Sequence, residues 1–222
     1  MKELTFEDYL RNLRDHPDEG VRANAAWRLG RTRDHRCLQA LLDAAADPSA
    51  VVRTRVMEAL GSYREPAVAH AIERGLCDDD PDVRAMAARA SALSAASTLT
   101  PRLLALLDDP SEQVVEEAVQ ALAYSDDPQV GPRLVDMLRR HADHEMLRYL
   151  LRQALKRRGG AETVSAALAL LADPDAPPAV LCDALEVLAH VQDASARPAV
   201  QALAQHPDEA VREMAQWALT QL

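Results

Sequence analysis

The sequence predicts an all-α right-handed solenoid, a superhelix of about seven two-helix repeats, and three observations predict it. A short motif, Val-Arg or a close variant followed by an Ala/Leu helical pattern, begins at residues 21, 52, 83, 114, 147, 180 and 211, in steps of 31, 31, 31, 33, 33 and 31. An Asp or His beside Pro precedes most of these copies. The 222 residues are 48% hydrophobic, chiefly Ala, Leu and Val, with only seven aromatic side chains. Even self-similarity at this period marks stacked units, each too small to bury its apolar face alone. Small side chains suit closely packed helices, whereas strands would draw on more β-branched and aromatic residues.

The elements follow in order. TFEDYLRNLR supplies the first helix and VRANAAWRLG (21–30) the second. VRTRVMEALG (52–61), VRAMAARASA (83–92) and VREMAQWALT (211–220) are close copies of that second helix, and VVEEAVQALA (114–123), LRYLLRQALK (147–156) and VLCDALEVLA (180–189) are degenerate ones. Between them lie CLQALLDAAA, AVAHAIERGL, PRLLALL, RLVDMLRR, VSAALALLA and PAVQALAQ, whose apolar residues recur at i, i+3, i+4 spacing. The turns HPDE (16–19), DPSA (47–50), DDDPD (78–82), DPSE (109–112), DPDAPP (173–178) and HPDE (206–209) stop one helix and cap the next. Pro is tolerated in a first helical turn, and Asp or Ser oxygens accept from its free N–H groups. The expected repeats are roughly 1–30, 31–61, 62–94, 95–124, 125–158, 159–190 and 191–222, within a single domain spanning 1–222. Gly159-Gly160, after Lys156-Arg157-Arg158, reads as a C-cap and loop and marks the flexible joint.

Composition also excludes functions. The start MKELTFEDYL has no apolar run of signal-peptide length, and no stretch approaches the roughly 18 apolar residues of a membrane span. A soluble cytoplasmic chain is expected, with no membrane contact. Cys37, Cys77 and Cys182 are odd in number and far apart, so they read as small apolar residues rather than a disulfide framework or zinc site. A net charge of −10 argues against wholesale nucleic-acid binding, which needs Lys and Arg along a phosphate track. No nucleophile elbow, phosphate loop or paired-carboxylate motif appears, and no cofactor or metal is expected.

The motif D-P-x-x-x-V-R-x-x-x-x-x-A-L-G resembles the HEAT-like repeat shared by phycobilisome-lyase-type proteins and by artificial proteins built on that consensus. The resemblance runs over essentially the whole chain. It implies an armadillo-like helical stack in which turn Asp and helix Arg form a buried polar ladder and the second helix of each pair lines the concave surface. By position the ladder would hold Asp47, Asp78 and Asp109 with Arg22, Arg53, Arg84, Arg148 and Arg212; Val115 and Leu181 interrupt it. His16 and His206 occupy the turn position otherwise held by Asp, which implies capping at the two end repeats. Enzymes among HEAT-repeat proteins are poorly matched. Di-iron hydroxylases use repeated His-Glu pairs, and His144-Glu145 is the one such dipeptide here. DNA glycosylases of this fold need a basic concave face, whereas the groove rows here are acidic or neutral. Bilin lyases share the repeat, with nothing further in the residues to support that activity.

The positions one and five residues after the ladder Arg vary most in chemistry and share a helix face. The second of these rows reads Trp27, Glu58, Arg89, Gln120, Gln153, Glu186 and Trp217, and the first contributes Tyr149 in the fifth repeat. These are the candidate binding residues. Both Trp residues hold the same repeat position at opposite ends, either as anchors for a partner or as caps over the ends of the core. Anchoring predicts exposed rings; capping predicts buried ones. Residues 131–160 carry eight basic against three acidic residues, with Arg148, Arg152 and Lys156 in one stripe. That stripe reads either as a contact for an acidic partner or as a face neutralised by acids of neighbouring repeats. The function expected is a non-catalytic scaffold or adaptor that binds another protein or peptide on its concave surface. The alternative is a lyase-like accessory subunit or a nucleic-acid-associated factor that uses the basic stripe.

Overall fold

A computed structural model of the chain describes residues 4–94 and 97–222. Residues 95 and 96, at the expected junction of the third and fourth repeats, lie outside the described residues. The described residues form fourteen α-helices and no strand, arranged as seven helix pairs. The pairs are α1 (Phe6–Asp15) with α2 (Glu19–Thr32), α3 (Leu38–Ala44) with α4 (Ala50–Leu60), α5 (Pro66–Gly75) with α6 (Pro81–Ser94), and α7 (Thr100–Ala105) with α8 (Glu112–Leu122). They continue as α9 (Val130–Arg140) with α10 (Glu145–Arg158), α11 (Ala161–Leu171) with α12 (Pro178–Val191), and α13 (Arg197–Leu203) with α14 (Glu209–Gln221). The architecture is an α-solenoid. No helix among the described residues is long and apolar enough to cross a membrane.

Helix ends follow the turn chemistry. Thr5 and Asp8 close a capping box on α1, each side chain bonding the other residue's backbone N–H. Asp18 and Asp208 cap α2 and α14 by accepting from the N–H groups of Val21 and Val211. Ser49 stands at the same place before α4 but makes no side-chain cap; its own N–H instead donates to Asp47. Gly159 ends α10 at φ +59° and Gly160 follows at φ +87°, conformations that a side chain would strain.

The chain divides into two compact units, the first ending at Ala121 and the second beginning at Leu122. In the first, α2, α4 and α6 pack side by side as one layer, and α1, α3 and α5 form the other. Leu29, Val52, Val56, Leu60, Ile72 and Val83 are fully buried between the layers. Each such aliphatic side chain contributes about 2 kcal/mol by leaving water. In the second unit, α10, α12 and α14 form one layer and α9, α11 and α13 the other, around Leu134, Leu151, Leu155, Val180 and Leu188. Small residues set the spacing: a Cβ on Gly30 would lie 2.4 Å from the Ala59 Cβ, so α2 and α4 approach as closely as their backbones permit. Of the cysteines, Cys37 is buried, with its thiol 2.9 Å from the Asp34 carbonyl and 3.2 Å from the Tyr63 hydroxyl. Cys77 is exposed, contrary to a reading of all three as apolar filling, because it lies in the turn that follows α5.

Candidate functional site

The polar residues that recur with the repeat hold the layers in register. Arg22, Arg53 and Arg84 each grip the Asp 25 residues ahead with two parallel hydrogen bonds of 2.7 to 2.9 Å, to Asp47, Asp78 and Asp109. The third guanidinium nitrogen donates back to two carbonyls of the arginine's own turn, as Arg53 does to Asp47 and Pro48. Each Asp in turn accepts from the backbone N–H two residues on. Burial opposes ionisation of these three carboxyls, but the facing guanidinium and the backbone N–H outweigh it and hold each below the ordinary carboxylate range.

His16 and His206 fit the same turn. Their Nδ1 atoms accept from the N–H groups of Asp18 and Asp208 at 3.1 Å, reproducing the bond an Asp oxygen makes elsewhere. Arg212 keeps the bonds to its own turn, donating to the carbonyls of His206 and Pro207. Position 181, which lies 25 residues before His206, is Leu, so ladder Arg and ladder Asp are lost together there.

Arg148 departs from the ladder. It bonds Asp183 on α12 at 2.6 Å, not a turn Asp, and Arg152 holds the other oxygen of the same carboxylate at 2.6 Å. Lys156 pairs with Glu186, which also lies 3.4 Å from Arg152. Every member of the stripe is therefore engaged by an acid of the next helix pair, and its side chains are only 14%, 24% and 17% exposed. Burial is the main influence on Asp183 and raises its carboxyl above the ordinary range, partly offset by Arg152 and Arg148. Sequence reasoning missed Asp183. Its signal was an Asp at a core-facing position, sharing a helix face with Val180, Ala184 and Val187.

The candidate row stays out of the core in both units. In the first, Trp27 is half-buried and Glu58, Arg89 and Gln120 are exposed. In the second, Gln153 is exposed, Glu186 is half-buried, and Tyr149 and Trp217 are 48% and 45% exposed. The charged members are engaged within the chain: Glu58 with Arg55 at 2.7 Å, Arg89 with the buried Glu117, and Glu186 with Lys156. Glu117 was also unanticipated, because it faces inward from a helix whose other acids are solvated. The neutral members remain available, and no hydrogen bond engages the side chains of Gln120 or Gln153 among the described residues.

Clefts open beside both indoles. One of about 350 Å³ is lined by Trp27, Arg31, Arg33, Glu58 and Ser62, and another of about 340 Å³ by Trp27, Ala23, Asn24, Val51 and Arg55. Trp217 borders a cleft of about 430 Å³ with Lys156, Glu186, His190 and Gln192. Among the described residues, no group of three or more His, Cys, Asp or Glu side chains is placed to hold a metal ion.

A search of curated proteins finds no sequence match. Among solved structures, a chain from the complex of CpcE and CpcF of phycocyanin lyase from Nostoc sp. PCC7120 is similar with a TM-score of 0.64 at 20% identity, over 100% of this chain and 96% of that one. An engineered protein is similar with a TM-score of 0.58 at 20% identity, over 97% of this chain and 67% of that one. At such identity the likeness is one of fold. The family model of HEAT repeats matches residues 7–93, 72–156, 100–180 and 164–222. With overlapping matches along nearly its full length, the chain belongs to the HEAT repeat family.

Proposed function

We propose that the chain is a non-catalytic scaffold that holds another protein or peptide on the accessible members of this row, which are Trp27 and Gln120 in the first unit and Tyr149, Gln153 and Trp217 in the second. The observation that carries this reading is a division of labour within the row. Its charged members are committed to ion pairs inside the chain, whereas its aromatic and amide members are left accessible. Aromatic side chains bury much area for little lost rotamer freedom, and amides can both donate and accept. Stacked repeats let such residues change without disturbing the core, since recognition and packing occupy different helix faces. The basic stripe is a weaker candidate, because a partner would have to displace Asp183 and Glu186 to reach Arg148, Arg152 or Lys156.

Affinity capture from the native cell lysate tests the reading. Row variants Trp27→Ala/Gln120→Ala and Gln153→Ala/Trp217→Ala are compared with Gln39→Ala/Arg74→Ala on the other helix layer. A protein lost from the row variants and retained by the control is expected. Identical capture by all of them overturns the row assignment.

A further inference from the structure

The surroundings of Trp27 are specific enough to name the chemistry of a ligand, granted that this row binds a partner. The guanidinium of Arg28 lies 5.0 Å from the indole centroid and that of Arg31 lies 4.8 Å from it. Arg33 follows at the end of α2, in the left-handed conformation at φ 52°. All three side chains are exposed, and among the described residues none has a carboxylate partner. Arg55 is engaged by Glu58, which leaves Arg28 and Arg31 against the ring and Arg33 in the adjoining cleft as positive charges without a carboxylate partner, in a chain of net charge −10. The indole also stands between two clefts of different character. The cleft on one side is lined by Gly20, Ala23, Asn24, Trp27, Val51 and Arg55, with Val51 itself 54% exposed. The cleft on the other contains Arg31, Arg33 and Ser62.

We propose that the Trp27 ledge docks an extended acidic peptide segment of a partner, with an aliphatic side chain in the cleft beside Val51 and carboxylates on Arg28, Arg31 and Arg33. The chemistry at each subsite matches. Guanidiniums stacked against an indole are held in place and only partly hydrated, so they receive carboxylates with less loss of side-chain freedom than mobile lysines. Glu58, which also lines the polar cleft, is already paired with Arg55 and so does not compensate these arginines. A nucleic acid would also meet the arginines, but the negative field of the remaining chain repels a continuous phosphate track more than a short acidic segment.

Anisotropy is read on the unmodified full chain, and emission on the chain with Trp217→Phe excited where tyrosine does not absorb, so that Trp27 alone emits. The probe is a fluorescein-labelled peptide of sequence Glu-Glu-Leu-Glu-Glu-Leu-Glu-Glu, compared with the same peptide carrying Lys for every Glu and with labelled oligo(dT). Binding of the Glu peptide, read by anisotropy and by a change in Trp27 emission, is expected, as is its loss as salt rises toward about 0.5 M. Arg28→Gln/Arg31→Gln/Arg33→Gln should weaken it at least about tenfold. Trp27→Ala should weaken it similarly, and the Gln variants keep the test valid if loss of the indole disturbs α2. Thermal melts confirm that the Gln variants fold, as these side chains make no hydrogen bond among the described residues. Equal binding of Glu and Lys peptides, or undiminished binding by the Gln variants, overturns the proposal; tighter binding of oligo(dT) assigns the ledge to nucleic acid instead. If the Glu peptide fails while lysate capture still depends on Trp27, the scaffold reading stands and only the acidic ligand is rejected.

Discussion

At the scale of single residues, the Arg–Asp pairs matter more than their number suggests, because each joins consecutive repeats and closes a turn at once. The Arg53 and Asp78 side chains are 18% and 14% exposed, so the loss of one partner leaves the other short of both protein and water contacts. Asp78→Asn keeps the bond to the Asp80 N–H but removes the charge. It should cost about 2 kcal/mol at neutral pH, less than a fully buried pair because water still reaches this one. The pH dependence has a defined sign. An unfolded Asp titrates near 3.8 and the folded Asp78 lies lower, so the pair's contribution is complete above about pH 5 and fades as pH falls through these values. Urea unfolding of both proteins from pH 7 to pH 2 should therefore show the difference between them shrinking toward acid. A difference independent of pH would mean that the asparagine acts by altering the turn. Asp183 works in the opposite direction: burial raises its carboxyl, so its ionised form draws on Arg148 and Arg152 to remain in the core.

At the scale of elements, helix spacing is set by the smallest side chains. The backbones of α2 and α4 meet at Gly30 and Ala59, where an added methyl would fall 2.4 Å from one carbon and 2.8 Å from the next, which is backbone. Gly30→Ala would raise helix propensity in isolation by about 1 kcal/mol. In the protein it should instead lower stability by about 1–3 kcal/mol, because neither contact is the end of a flexible side chain. Thermal unfolding checks this directly, and a gain in melting temperature would show that α2 and α4 can slide apart at little cost. The Leu-Gly ending of this helix pattern was visible in the sequence, but its reason was not: a period of 31 residues brings Gly30 against Ala59 only once the helices stack. The ladder members were implied by the resemblance to HEAT-like repeats, and the structure pairs three of the arginines with Asp at a constant spacing of 25 residues. Arg148 broke the rule because its nearest buried carboxylate lies on a helix, 35 residues on.

For the whole molecule, contacts are made between neighbouring pairs, so perturbations should stay local. The two compact units divide inside α8, and each has its own buried core. Asp78→Asn is expected to raise amide exchange in α4 to α6 by at least about tenfold while leaving α12 to α14 unchanged. Hydrogen exchange followed by mass spectrometry reads both regions together. A uniform rise along the chain would instead indicate one cooperative unit.

What the sequence determined by itself was everything that repeats. Helix number, pairing, turn chemistry and the row beginning at Trp27 follow from periodic positions, since residues one period apart occupy equivalent surroundings in a stack, and the ladder was implied by the resemblance to HEAT-like repeats. Only the tertiary structure decided what deviates from the period: the burial of Asp183 and Glu117, the pairing of the Arg148 stripe with acids of the next helix pair, and the placement of Arg28 and Arg31 against Trp27 without carboxylate partners. The physical reason is that a charge in a sequence has no environment. Whether it forms a core contact, a solvated surface or a binding surface depends on which side chains the neighbouring helix pair brings within a few ångströms.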